Sequence, residues 1–258
     1  MARELTDGDS AKIANMGFVC ALLVVSIHLG FEPQTVGLIP RMVWYVVRSI
    51  FAIIAVPFFF TVSGFFIARH SEEIGWWRSA LRKRVVSLLV PFLIWNALGL
   101  LMHVAVPFVK FVTQGGQWPM PIWGTLAWAF GLNLFGAPAN GPLWYVRFLL
   151  ILAVLSPCIV FGVKKLGAGM LVLVSALYLI ANPAHVDVAA SWVSPKWIIF
   201  WRNGFSLEGL LYFTLGVFIS LNKLEMGRRA MLCLGACGIL LGFVRMGMKM
   251  HGIQAMDI

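Results

Sequence analysis

The stretch VVSLLVPFLIWNALGLLMHVAVPF, residues 85–108, runs for 24 residues without Asp, Glu, Lys or Arg. A helix needs about 20 apolar residues to cross the hydrocarbon core of a bilayer. The triplet Arg82-Lys83-Arg84 directly precedes this stretch, as expected where a span begins at the cytoplasmic surface. The sequence therefore predicts a transmembrane helix that starts inside the cell at residue 85.

The composition of the 258-residue chain extends this prediction to the whole protein. Hydrophobic residues make up 60% and charged residues 12%, whereas soluble domains average about 45–50% and about 25%. The mean hydropathy is +0.89. These values exclude a soluble enzyme, a DNA-binding domain and a disordered tail. We predict an all-α polytopic membrane bundle that forms a single domain over residues 1–258.

Apolar runs predict about seven or eight transmembrane helices. They cover residues 13–29, 46–67, 85–108, 143–163, 168–182, 205–221 and 230–246. The first run has no small-residue cleavage site after it, so we expect it to remain as a span. Residues 122–135 are apolar but number only 14, and runs of about 10–14 residues rarely cross a bilayer. We therefore expect this segment to be re-entrant.

The formal net charge is +10, which in a soluble protein would suggest nucleic acid as a partner. In a membrane protein, basic residues hold loops on the cytoplasmic side, and we expect no nucleic-acid partner. The loop 69–84 carries five of these residues: Arg69, Arg78, Arg82, Lys83 and Arg84. This loop, and with it the N-terminus, is predicted to be cytoplasmic.

The four cysteines, Cys20, Cys158, Cys233 and Cys237, all lie in apolar runs. None has other ligands at the spacing that a zinc site requires. The sequence predicts neither a metal site nor a disulfide framework.

His28 is the first candidate for chemistry. It lies 15 residues beyond Ile13, which places it roughly 22 Å into a core of roughly 30 Å, toward the outer side. An ionisable group at such depth is costly and is a functional candidate by default. A neutral imidazole suits general-base catalysis, although a structural, hydrogen-bonded histidine explains the position equally well.

The triplet Arg82-Lys83-Arg84 has two readings. One is a positive-inside anchor for the third span. The other is a clamp for the phosphates of a cytosolic cofactor, because a guanidinium donates a two-pronged fork of hydrogen bonds to a phosphate. The sequence leaves both readings open.

A second polar group follows Pro142. Trp144 is typical of an interfacial belt, whereas Arg147, one turn into an apolar run, must pair, snorkel or face a wet cavity. Glu208 is the only carboxylate inside the apolar runs, and it could pair with an arginine or orient a histidine. Ser63, next to Gly64, allows close helix packing and is a further candidate for substrate binding.

Four stretches, in this order, together resemble a known family. They are an apolar first span ending in His28, VPFFFTVSGFFI (56–67), the RKR triplet with LLVPFLIW (88–95), and GPLWYVRFLLILAVLSP (141–157). A fifth stretch, YFTLGVFI (212–219), is similar to a further element of that family. The chain resembles the membrane acyltransferase-3 family, which includes bacterial O-acetyltransferases of surface polysaccharides.

The resemblance implies a multi-spanning inner-membrane enzyme that moves an acyl group, often acetyl from acetyl-CoA, to a glycan hydroxyl. It places the family's first-span histidine on His28, and its Arg-x-Arg, associated with acyl-CoA, on Arg82 and Arg84. Two features depart from the family pattern. A basic residue is usual eleven positions before the histidine, where this chain has Gly17, and family members are commonly longer, with about ten spans.

These observations lead to one expected function and two alternatives. We expect a bacterial cytoplasmic-membrane acyltransferase with acyl-CoA as co-substrate and a glycan or lipid-linked glycan as acceptor. His28 and Glu208 would be catalytic, Arg82, Lys83 and Arg84 would bind the donor, and Trp144, Arg147 and Ser63 would bind the acceptor. The alternatives are a transporter or flippase for a lipid-linked glycan and an inactive, shortened family member.

Overall fold

The computed structural model describes residues 6–28, 51–115, 141–180 and 206–224, together with the single positions 37, 40, 43, 46, 47, 229 and 240. Within these residues every regular element is helical. The α-helices are α1 (Asp7–His28), α2 (Ala52–Ala68), α3 (Trp76–Arg84), α4 (Val90–Gln114), α5 (Trp144–Leu166), α6 (Ala168–Ile180) and α7 (Leu207–Leu221). A π-helical turn, Val85–Leu89, joins α3 to α4, and a 3-10 turn, Gly141–Leu143, precedes α5.

The described helices confirm the predicted membrane bundle. Three stretches are long and apolar enough to cross a membrane: Asp7–Ser26, Trp76–Gln114 and Trp144–Leu166. Three shorter apolar helices accompany them: Ile54–Ala68, Ala168–Ile180 and Leu207–Leu221. The predicted segment 122–135 lies outside the described residues, as does the predicted span 230–246 apart from the single position 240.

Helix α1 begins six residues earlier than the apolar run predicts, at Asp7 instead of Ile13. The cause is local capping, because the backbone N–H of Asp9 donates to Thr6 Oγ1 at 3.2 Å. A threonine in this position satisfies one of the free N–H groups of the first turn. Asp9 also pairs with Lys12 at 3.3 Å, so a polar turn extends the apolar helix at its start.

The core of the described residues lies where α2, α5 and α7 meet. Its largest fully buried side chains include Phe60, Phe148 and Phe213, one from each of these helices. The rings of Phe60 and Phe148 pack edge-to-face with centroids 5.6 Å apart, an arrangement that aromatic pairs favour. In lipid this packing, rather than exclusion of water, holds helices together.

Glycines set the spacing between α2 and α7. A Cβ on Gly64 would overlap the carbonyl oxygen of Phe213, and a Cβ on Gly216 would overlap that of Thr61. The two backbones are therefore in direct contact, which only residues without a side chain allow. Sequence analysis predicted close approach at Gly64, but the partner helix is evident only from the structure.

Helices α2 and α5 run in the same direction. Phe148, near the start of α5, packs on Phe60 in the middle of α2. At the other end of α5, Lys164 donates to the carboxylate of Glu72, just beyond α2, at 2.7 Å. This hydrogen bond lowers the pKa of Glu72. Both helices therefore end beside the loop 69–75.

Helix α7 is parallel to these two. A Cβ on Gly209 would lie 2.9 Å from the ring of Phe60, and a Cβ on Gly64 would overlap the backbone of Phe213. Phe213 follows Gly209 by four residues, as Gly64 follows Phe60, so the two helices advance in the same direction. We call the end that carries loop 69–75, Lys164 and Lys223 the basic end. The end where α5 and α7 begin is the opposite end. Basic loops mark the cytoplasmic side of a membrane protein.

Helix α3, which follows the loop 69–75, lies against α5. The indole N–H of Trp77 donates to the carbonyl of Ala153 at 3.2 Å, and Gly75, with φ of 75°, turns the chain into the helix in a left-handed conformation that glycine favours. The π-helical turn that follows ends just before Pro91. Because proline has no N–H and its ring crowds the carbonyl one turn back, a wider turn accommodates it.

The prediction for segment 122–135 stays a prediction, because these residues lie outside the described part of the chain. Helix α4, which precedes the segment, has 25 residues and is therefore about 37 Å long, enough to cross a hydrocarbon core of about 30 Å.

A cysteine-labelling experiment tests this topology. In a variant whose native cysteines are replaced, we expect Asn140→Cys to react with a membrane-impermeant thiol reagent in intact cells. The matched control is Lys165→Cys, which lies at the basic end and should react only after permeabilisation. If Asn140→Cys also requires permeabilisation, residues 122–135 cross the membrane.

Candidate functional site

A cavity of about 380 Å³ opens at the basic end. It lies between the end of α2, the loop 69–75, α3 and the π-helical turn. Its polar lining consists of His70, Glu73, Ser79, Lys83, Arg84 and Ser87. The rest of the lining is apolar and includes the indole of Trp76. Two cations, Lys83 and Arg84, beside two serine hydroxyl groups make this cavity a candidate anion site.

Arg84 is held in place by α2. It is half-buried, and its Nη2 donates to the backbone carbonyl of Ser63 at 3.1 Å. The guanidinium has five N–H donors, so this bond orients the group while other donors remain for a ligand. Ser63 was predicted to bind the acceptor, and the structure joins its carbonyl to Arg84.

The three cations of the RKR triplet do not share one environment. Lys83 and Arg84 line the cavity and Arg82 does not; Arg82 and Lys83 are both exposed, and Arg84 is half-buried. Successive residues on a helix point about 100° apart, so three adjacent side chains cannot all face one cavity. The triplet is thus divided between the cavity and the outer face of α3.

A histidine–glutamate pair also lines the cavity. His70 Nδ1 lies 2.6 Å from Glu73 Oε1, and both side chains are exposed. Sequence analysis did not single out His70, which lies among the charged residues of the loop. The only sequence signal for this pair is the spacing of three residues between its imidazole and its carboxylate, which places both on one side of a helical turn.

A second polar group lies at the opposite end. Arg147 is buried, with 7% of its surface exposed. Its neighbour Trp144 packs near Phe60, with ring centroids 6.5 Å apart, and Tyr145 stacks on Phe59 at 6.2 Å. A buried cation in a transmembrane helix is typical of a functional position. The aromatic side chains of Trp144 and Tyr145 lie on the same turn of α5 as Arg147.

Glu208 lies at this same end. It is exposed in the first turn of α7, where Ser206 caps the helix by accepting from the N–H of Gly209 at 3.0 Å. A Cβ on Gly209 would lie 2.8 Å from the ring of Phe148, the residue after Arg147. The carboxylate and the buried guanidinium therefore belong to facing turns of α7 and α5. Tyr212, which sequence analysis did not single out, is one turn beyond Glu208 and within its electrostatic range.

His28 is the last residue of α1, and its side chain is exposed. Helix α1 packs on α2, with Cys20 fully buried. Gly17, where the family pattern has a basic residue, faces Phe58, whose ring would be 3.9 Å from a Cβ. The predicted residues therefore form a basic-end group (Ser63, Lys83, Arg84), an opposite-end group (Trp144, Arg147, Glu208), and His28 at the end of α1.

The described residues contain no group of three or more His, Cys, Asp or Glu side chains that could hold a metal ion. Two cysteines in this part of the chain, Cys20 and Cys158, are free thiols.

Comparison with known proteins agrees with the resemblance seen in the sequence. A family model described as an acyltransferase domain, acyltransferase-3, matches residues 15–255. Succinoglycan biosynthesis protein ExoH of Rhizobium meliloti (strain 1021) is 26% identical over 167 residues, which cover 60% of this chain and 44% of that protein. The chain thus spans less than half the length of this relative. No solved structure matches significantly. The match over nearly the whole chain establishes that this membrane protein belongs to the acyltransferase-3 family.

Proposed function

We propose that this protein transfers an acyl group, most simply acetyl, from cytosolic acyl-CoA to a hydroxyl of a cell-surface glycan. The observation that carries the proposal is the cationic cavity at the basic end of a chain that belongs to an acyltransferase family. The relative whose name refers to succinoglycan biosynthesis supports a polysaccharide acceptor. We further propose one domain in a bacterial inner membrane, with the N-terminus in the cytoplasm.

The donor binds at the basic end. Lys83 and Arg84 contact the phosphates of acyl-CoA, since Arg84 is already oriented by its bond to Ser63 and a guanidinium matches a phosphate with two parallel hydrogen bonds. The acyl-pantetheine arm is thin and uncharged, and it extends from this cavity into the bundle. Arg82, on the outer face of α3, contributes to the positive potential around the site.

The acceptor binds at the opposite end. Trp144 offers a ring surface to a sugar, and Arg147 stabilises the negative charge that develops on the acyl carbonyl oxygen. Glu208 orients the acceptor or the catalytic imidazole. This division places the two substrates on the two sides of the membrane and requires the acyl group to pass between them.

His28 performs the proton transfer. Its neutral imidazole removes the proton of the acceptor hydroxyl as the oxygen attacks the acyl carbon; the C–O bond forms, the C–S bond breaks, and the leaving thiolate takes a proton. In the second form of this chemistry, His28 first accepts the acyl group and then passes it to the hydroxyl.

Mass spectrometry of surface glycans tests the proposal. We expect glycans from cells that contain the protein to carry an acetyl mass increment that is absent from cells lacking its gene. Re-expression of the wild-type chain should restore the increment. Identical glycan masses, with lipid-linked glycan accumulating on the cytoplasmic side of the deletion strain, would instead indicate a flippase.

A further inference from the structure

The carbonyl of Ala153 marks a break in the backbone hydrogen bonding of α5. Pro157 lies four residues further along this helix, has no N–H to donate to that carbonyl, and crowds it with its ring. Two side chains donate instead: the hydroxyl of Ser156 at 2.8 Å, from α5 itself, and the indole N–H of Trp77 at 3.2 Å, from α3. Because an unsatisfied carbonyl is costly in a membrane helix, the proline creates a point at which a neighbouring helix can dock.

The face of α3 that carries Trp77 also carries Arg84. Helix positions i, i+3, i+4 and i+7 share one face, and here they are occupied by Trp77, Ala80, Leu81 and Arg84. Ala80 and Leu81 pack against the core formed by α2, α5 and α7. At the end of the face, Arg84 donates to the carbonyl of Ser63. Helix α3 is therefore attached to α5 at one end and to α2 at the other.

We infer that Trp77 is a positioning residue for the donor site. Its bond to the carbonyl freed by Pro157 fixes the rotation and the axial position of α3, and it thereby directs Lys83 and Arg84 into the cavity. The inference rests on the proposed function, which places the phosphates of acyl-CoA on these two cations. It goes further by giving a role in donor binding to Trp77 and Pro157, neither of which lines the cavity.

A directional bond is needed here because apolar packing alone sets neither the rotation nor the register of a helix. Hydrogen bonds tolerate only a narrow range of distances and angles. A shift of α3 by one residue corresponds to a rotation of about 100° and would turn the cations away from the cavity. Lys83 is the more sensitive of the two, since its side chain is exposed and its direction depends on the orientation of the helix.

Binding of labelled acetyl-CoA to the purified full-length protein tests this inference. Trp77→Phe keeps an aromatic ring but removes the N–H, and we expect it to weaken binding about fivefold, the equivalent of one net hydrogen bond. Acyl transfer at saturating acetyl-CoA should keep the wild-type rate, because Trp77 does not touch the reacting atoms. The matched control is Ser156→Ala, which removes the other bond to the same carbonyl without altering α3 and should bind acetyl-CoA as the wild type does.

Pro157→Ala distinguishes positioning from simple satisfaction of the carbonyl. Alanine supplies the missing backbone N–H and favours helix, so α5 should be at least as stable as in the wild type. The carbonyl is then engaged within α5, and we expect the loss of the bond to Trp77 to weaken acetyl-CoA binding by about the same factor. Combined with Trp77→Phe, it should cause neither a further loss nor a recovery. If Trp77 only satisfied the carbonyl, Pro157→Ala would bind normally and would rescue Trp77→Phe.

Hydrogen exchange of the backbone amides of α3, measured without acetyl-CoA, separates this inference from the proposed function. Exchange should be faster in Trp77→Phe than in the wild type or in Ser156→Ala. Wild-type affinity in Trp77→Phe, or its recovery on adding Pro157→Ala, would overturn the positioning role while acyl transfer stands. If the wild-type protein binds no acetyl-CoA, the proposed function fails; faster exchange in Trp77→Phe would then still support attachment of α3 by Trp77, and unchanged exchange would overturn it. Pro157→Ala alone keeps the test valid should Trp77→Phe fold poorly.

Discussion

Replacing His28 with alanine is expected to reduce acyl transfer to surface glycans by about 100-fold to 10,000-fold, the range that loss of a general acid or base typically produces. The side chain is exposed at the end of α1, so its removal leaves no cavity in the core. Membrane insertion and protein abundance should therefore be unchanged. The measurement is the acetyl content of purified glycan, normalised to the amount of protein in the membrane.

His103→Ala is the matched control for this variant. His103 is also an exposed histidine of an apolar helix, in α4, and we expect its replacement to leave acylation near the wild-type level. His28→Gln, which keeps hydrogen-bonding capacity without a basic nitrogen, should be as inactive as His28→Ala. Wild-type acylation by either His28 variant at normal abundance would exclude His28 from the chemistry.

Replacing Gly216 with alanine is expected to destabilise the bundle by about 1–3 kcal/mol or more, the range for overpacking a close contact. The new Cβ would collide with the carbonyl oxygen of Thr61 and lie 2.8 Å from the backbone nitrogen of Phe65. Backbone atoms of α2 cannot rotate away as a flexible side chain would. Helices α2 and α7 must therefore separate, and the melting temperature of the purified protein in detergent should fall.

Gly169→Ala provides the control for this prediction. Gly169 lies in the first turn of α6, and a Cβ there would meet only the Cβ of Leu166, at the ordinary distance of 3.8 Å. Alanine favours helix more than glycine does, so this variant should be as stable as the wild type or slightly more so. Equal melting temperatures for Gly216→Ala and Gly169→Ala would show that the close approach of α2 and α7 is not needed for stability.

The hydropathy of the sequence predicted the helices closely. Helix α5 was expected at 143–163 and spans Trp144–Leu166, and α7 was expected at 205–221 and spans Leu207–Leu221. These agree because a span must bury all its backbone polar groups internally, so its length follows from the apolar run. The start of α1 differed because capping by Thr6 depends on side-chain hydrogen bonding, which hydropathy does not measure.

The candidate site was predicted only in part. Arg82, Lys83 and Arg84 were singled out as one cluster, since adjacent charges look equivalent in a sequence. Their division between the cavity and the outer face of α3 follows from helix geometry and from the position of α2 beside it. The pair of His70 and Glu73 was not predicted, because its significance depends on the cavity that both side chains line.

By itself, the sequence determined that this chain is a helical membrane protein of the acyltransferase-3 type, because apolar length and the order of motifs are properties of the linear chain. Only the tertiary structure decided that α2, α5 and α7 run parallel, and that the polar residues therefore separate into two groups at opposite ends of the bundle. The physical reason is that helix packing in lipid depends on contacts such as those of Gly64 and Gly216 with the backbone of a neighbouring helix. Which surfaces meet in this way is decided by shape, whereas hydropathy reports only that each helix is apolar.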